Sequence, residues 1–140
     1  MDRGITCVET FDYDVVDKIY EPFDNLGLSV LLHGDGTREY KVIGSLAEAV
    51  KAISSDSVQW KRLKEIFASP SLQMVTFTIT EKGYALQKAD GTWFPFAALD
   101  IQNGPEQAVG AMAVVTAMLY ERYKAGRYPL ALVSMDNCSQ

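Results

Sequence analysis

Two short runs of apolar and β-branched residues, Met74-Val75-Thr76-Phe77-Thr78-Ile79 and Leu130-Ala131-Leu132-Val133, flank a stretch with helical spacing at 105–126. Strand, helix, strand with apolar strands implies a mainly parallel sheet covered by helices. In the stretch between them, Val109, Met112, Ala113, Thr116, Leu119 and Tyr123 are expected on one face. Pro105 suits a first helical turn, Gly126 closes the helix and Pro129 prevents its continuation.

The rest of the chain fits the same scheme. Gly4-Ile5-Thr6-Cys7-Val8-Glu9 reads as a buried strand. After it, Asp12 or Asp14 can cap a helix carrying Val15, Val16, Ile19, Tyr20 and Phe23, with Pro22 interrupting its later part and Asn25-Leu26-Gly27 ending it. Runs 28–32 and 39–43 joined by Gly34-Asp35-Gly36-Thr37 predict an antiparallel hairpin. Residues 57–68 form a helix with Asp56 as cap, Trp60, Leu63, Ile66 and Phe67 on one face and Pro70 beyond its end. Residues around Asp90-Gly91-Thr92-Trp93 read as irregular.

Bulk properties exclude several functions. The 140 residues, 48% of them hydrophobic, fit one packed domain. A net charge of −5 without any Lys/Arg cluster argues against nucleic acid as a partner. No apolar run has the length of a membrane-spanning helix, and Met1-Asp2-Arg3-Gly4 lacks the layout of a signal peptide, so a soluble, cytoplasmic protein is expected. Cys7 and Cys138 form no Cys-x-x-Cys pair, and His33 is the single histidine, so no metal site is expected.

Ligands of an open parallel sheet bind at the C-terminal ends of its strands. Three polar ends qualify: Glu9 with Thr10, the loop Thr80-Glu81-Lys82-Gly83-Tyr84, and Ser134-Met135-Asp136-Asn137. An acid ending a strand of a dinucleotide-binding unit accepts hydrogen bonds from ribose hydroxyls, a role open to Glu9. Its plain alternative is a solvated strand-end carboxylate, and Asp12 and Asp14 compete as candidates or serve as helix caps. For Asn137 the plain alternative is an Asx-turn closing a strand.

The stretch Val75-Thr76-Phe77-Thr78-Ile79-Thr80-Glu81-Lys82-Gly83-Tyr84, followed by Ala131-Leu132-Val133-Ser134-Met135-Asp136-Asn137-Cys138, resembles the paired signatures of the mannitol dehydrogenase family of long-chain polyol and hexuronate dehydrogenases. Residues 105–126 resemble the family's crossover helix, and Lys41-Val42-Ile43-Gly44-Ser45 its hairpin return. The resemblance spans nearly the whole chain. It implies a three-layer, Rossmann-like α/β fold with a mainly parallel sheet, incomplete at the N-terminus and carrying an inserted hairpin. Residues 1–140 then form a partial dinucleotide-binding domain without the family's C-terminal helical catalytic domain.

The implied chemistry is NAD-dependent hydride transfer on a sugar alcohol or hexonate, of the mannitol/fructose or mannonate/fructuronate type. The resemblance puts Thr80 and Glu81 near the nicotinamide, and Asp136 and Asn137 at the substrate edge. It makes Asn137 the group that polarises the reacting oxygen, a task an amide donor performs without titrating. No glycine-rich turn of the Gly-x-Gly-x-x-Gly kind precedes Gly4, and no lysine matches the family's Lys-x-x-x-x-Asn-x-x-His motif. The chain by itself is therefore expected to bind NAD weakly and to be inactive. The alternative reading is a non-catalytic module that self-associates into a homo-oligomer through its truncated sheet.

Overall fold

A computed structural model of the chain describes residues 4–79 and 81–136, which divide into two compact units, one ending at Lys51 and one beginning at Ala52. The fold is α/β, and of three strand pairs two are parallel. Hydrogen bonding keeps the described strands in these separate pairs, without one continuous sheet.

In the first unit, strand β1 (Ile5–Glu9) pairs in parallel with a strand further along the chain, after an irregular turn and the hairpin. The turn is a wide helical turn at Val16–Tyr20 followed by a tight one at Glu21–Phe23. An α-helix was expected here. Pro22 has no N–H to donate to the preceding turn, and Asp24 and Asn25 take left-handed backbone angles, so no regular helix propagates. Neither Asp12 nor Asp14 caps through its side chain; Asp14 instead pairs with Lys18 at 2.6 Å. Val16 is fully buried, whereas Ile19 and Phe23 are exposed.

The hairpin is the expected one. β2 (Gly27–Leu32) and β3 (Arg38–Ile43) pair antiparallel from Gly27↔Ile43 to Leu32↔Arg38. Asp35 accepts from the Thr37 amide at 2.9 Å and the Thr37 hydroxyl at 2.7 Å, and Gly36 supplies the positive φ of 85° that the turn needs. Alternation along this register puts Leu28, Val30, Leu32, Arg38, Tyr40 and Val42 on one side of the ribbon and Ser29, Leu31, Glu39, Lys41 and Ile43 on the other. The first, more apolar side is open, with Leu28 65%, Leu32 70% and Val42 64% exposed.

β4 (Leu46–Lys51), which the sequence did not announce, pairs parallel with β1 from Thr6↔Glu48 to Glu9↔Lys51. The Thr6 hydroxyl donates to Glu48 at 3.0 Å, and Lys51 pairs with Asp17 at 2.6 Å, tying the wide turn to the end of β4. Val50 is buried with Val16.

The second unit is built on two helices. α1 (Ser57–Ala68) begins where Asp56 accepts from the amides of Val58 at 3.0 Å and Gln59 at 3.1 Å, as expected of a cap. Its buried face is Trp60, Leu63 and Phe67, with Ile66 half-buried. After it come β5 (Met74–Phe77), the single turn α2 (Glu81–Tyr84), α3 (Pro95–Asn103), α4 (Ala111–Gly126) and β6 (Ala131–Ser134). β5 and β6 pair parallel from Met74↔Ala131 to Phe77↔Ser134.

Residues 90–93 are irregular as expected, and α3, which the sequence did not announce, follows them after Phe94 with Pro95 in its first turn. Two expectations need correction here. The long helix starts at Ala111 instead of Pro105, because Ala108 is extended and leaves Pro105–Gln107 as a separate tight turn. Its buried face is Val114, Ala117, Met118 and Arg122, while Val109, Thr116 and Tyr123 are exposed. Asp100 explains the start, since its carboxylate accepts from Val109 N at 2.7 Å and Gly110 N at 3.0 Å ahead of the first turn. β6, expected buried, is largely exposed: among the described residues β5 is its only strand partner.

Candidate functional site

Parallel strands β5 and β6 deliver two chain segments to one end, and the ladder continues past them through Met135 N donating to Phe77 O at 3.0 Å. There the carboxylate of Asp136 turns back over β5. Its Oδ2 accepts from the amide of Ile79 at 2.9 Å and also from the hydroxyl of Tyr84 in a very short hydrogen bond. Tyr84 also lies 2.8 Å from the Ser134 hydroxyl. Tyr84 has one proton and donates it in the hydrogen bond to Asp136, so its oxygen accepts from the Ser134 hydroxyl.

Tyr84 reaches this position because α2 sits close to Ile79. A Cβ on Gly83 would lie 3.1 Å from Ile79 Cβ, tighter than ordinary contact, so the glycine of the Thr-Glu-x-Gly-Tyr motif permits the approach. The Tyr84 ring is held by Phe77, with centroids 6.3 Å apart and planes tilted by 54°.

The opposite end of the same strand pair is fixed by Arg122, which is 2% exposed. Its Nε donates to Tyr128 O at 2.9 Å, Nη1 to Phe67 O at 2.8 Å and Ser69 O at 2.6 Å, and Nη2 to Leu72 O and Pro129 O, both at 2.8 Å. These carbonyls belong to the end of α1 and to the approaches to β5 and β6. One guanidinium therefore sets where both strands begin, and Asp136 joins them where they end.

Glu9 lies in the first unit at the C-terminal end of β1. Burial, and secondarily the charge of Asp12, push its carboxyl above the ordinary value. The Cys7 thiol is likewise raised, mainly by burial and against the hydrogen bond with Tyr20, which suits an inert thiol. Of the other sequence-predicted residues, Glu81 is the first of α2, whereas Thr80 and Asn137 lie outside the described residues. Tyr84 was expected only as part of the loop, and Ser134 only as part of a strand end; the bonds of Tyr84 to Asp136 and to Ser134 had no sequence signal. Among the described residues no group of three or more His, Cys, Asp or Glu could hold a metal ion, and no helix is long and apolar enough to cross a membrane.

A D-mannonate oxidoreductase of Thermotoga maritima is 48% identical over 139 residues, 99% of this chain and 26% of that protein. The chain belongs to the mannitol dehydrogenase family. A D-arabinitol 4-dehydrogenase of Ralstonia nicotianae is 35% identical over 104 residues, 73% of this chain and 21% of that protein. Among solved structures, a Pseudomonas fluorescens mannitol 2-dehydrogenase in ternary complex with NAD and D-mannitol matches with a TM-score of 0.77 and 27% identity, over 97% of this chain and 27% of that one. A D-sorbitol dehydrogenase in substrate-free form has the same fold, with a TM-score of 0.76 at 24% identity over 96% of this chain and 28% of that one. No family model matches the chain. This member of the mannitol dehydrogenase family spans about a quarter of the length of the relatives it matches.

Proposed function

We propose that the chain is part of an NAD-dependent oxidoreductase that interconverts a sugar alcohol or hexonate with its keto partner. The observation that carries this reading is the junction of the two signature segments, the 79–84 loop and the end of β6, through Asp136 at the C-terminal end of a parallel strand pair. The mannonate, arabinitol and mannitol named for its relatives make the substrate class a hydroxyl-rich carbon chain.

The residues present suit that ligand pair. Glu9, a carboxylate ending β1, is a hydrogen-bond acceptor for ribose hydroxyls; the loop carrying Thr80 and Glu81 serves the nicotinamide end; and Asn137 donates its amide to the reacting oxygen. Asp136 adjoins Asn137 at the substrate edge. The nicotinamide, when bound, supplies the redox chemistry. The protein's part is to orient the carbon that gains or loses hydride and to stabilise charge on its oxygen.

The test is a fluorescence titration of the chain with NADH, together with steady-state assays on D-mannonate and D-mannitol in a polypeptide of the relatives' full length. Asn137→Ala in that longer protein should lower kcat at least tenfold while changing the KM for NAD much less. Absence of turnover on every hexonate and polyol tried would overturn the reading.

The exposed side of the hairpin favours a second reading, self-association, because Leu28, Val30, Leu32, Tyr40 and Val42 form an apolar surface that a second copy can cover. Light scattering of the chain at high concentration tests it, and a monomer there excludes it.

A further inference from the structure

We infer that Asp136 is a positioning residue: with Tyr84 it latches the 79–84 loop onto the end of β6. What the loop serves rests on the dehydrogenase reading above; the latch itself does not.

Three observations carry it. First, the same oxygen, Oδ2, receives both the Ile79 amide and the Tyr84 hydroxyl, so it is committed to two donors inside the protein. Second, those donors bracket the loop. Ile79 follows the end of β5, where the ladder with β6 has stopped, and Tyr84 is the last residue of α2. A carboxylate bound to both closes the loop as a ring between two strand ends. Third, the surrounding contacts support this arrangement of Tyr84: its ring packs beside Phe77, its oxygen accepts from Ser134, and Gly83 leaves the room that lets α2 come down on Ile79.

A residue acting this way transmits rather than reacts. Losing it should loosen the loop that bears Thr80 and Glu81 without opening the helices beneath. A residue that merely contributes to global stability would do the reverse, raising exchange everywhere.

Amide hydrogen exchange of this chain, read residue by residue by NMR, separates the two. Asp136→Ala should speed exchange at Ile79 at least tenfold and leave the slow amides of α1 and α4 unchanged. Asp136→Asn, whose side-chain oxygen still accepts, should restore most of the protection. Tyr84→Phe keeps the ring on Phe77 and should leave Ile79 protected while exchange rises across 81–84; this variant carries the test if Asp136→Ala does not fold. Unchanged exchange at Ile79 in Asp136→Ala, unchanged exchange over 81–84 in Tyr84→Phe, or equal acceleration in α1 and α4 would overturn the latch. The steady-state assays on D-mannonate and D-mannitol in the polypeptide of the relatives' full length report separately on the dehydrogenase reading, which can fail while the exchange pattern stands.

Discussion

Arg122 donates through Nη1 to the carbonyl of Phe67 at 2.8 Å, closing the C-terminus of α1 from a helix 55 residues further along the chain. The remaining four bonds of the guanidinium also go to main-chain carbonyls. Arg122→Met leaves all of them without this donor in a buried corner and should cost about 3 kcal/mol or more. Arg122→Lys should lose less, because an ammonium can satisfy at most three acceptors and lacks the planar fork. Urea denaturation of the two variants measures the difference, and equal midpoints would show that the fork is not what matters.

Glu9 offers a prediction that pairs pH with function. Its carboxyl is raised in the folded chain by burial and by Asp12, so folding favours the protonated form. The resulting penalty is absent below the group's unfolded value and complete above its folded one. Glu9→Gln should therefore stabilise the chain at neutral pH, with the advantage shrinking as the pH falls through the raised folded value toward the ordinary one. If Glu9 also receives ribose hydroxyls, the same substitution should weaken NADH binding, so that stability and affinity move in opposite directions. Denaturation at pH 7 and pH 4 checks the first part.

Gly83→Ala brings a Cβ to within 3.1 Å of Ile79 Cβ. Alanine gains up to about 1 kcal/mol in helix propensity, but overpacking costs about 1–3 kcal/mol. The expected outcome is a lower melting temperature together with faster amide exchange at Ile79.

Removing the Asp56 carboxylate leaves the amides of Val58 and Gln59 without their cap. Asp56→Ala should cost about 1 kcal/mol, and Asp56→Asn much less. Thermal denaturation distinguishes them.

The legible parts of the chain are those where local chemistry and tertiary burial agree. Asp56 followed by Trp60, Leu63, Ile66 and Phe67 is a cap and an apolar stripe in one reading, and α1 has that cap and buries the stripe, Ile66 only in part. Gly34-Asp35-Gly36 dictates its own turn. β4 was hidden because Leu-Ala-Glu-Ala-Val-Lys carries more helix-favouring than strand-favouring residues, and only its parallel partner β1 makes it a strand. Arg122 was hidden because a charge on an apolar helix face reads as a boundary of that face; its partners are carbonyls, which have no signature in side-chain sequence. In the site, the motif residues were legible as a motif. That Gly83 makes room beside Ile79, and that Asp136 reaches Tyr84, are facts of distance.

The parallel pair of the second unit is far from local. Ile79 and Asp136 are 57 residues apart, and Arg122 joins segments 50 or more residues away on one side and its own helix end on the other. Closing such loops loses chain entropy before any of these bonds form. The helices can therefore arise early from neighbouring residues, while strand pairing waits for α1 and α4 to meet. A refolding experiment should accordingly resolve fast helical signal from a slower step that Arg122→Lys retards and Asp56→Ala does not.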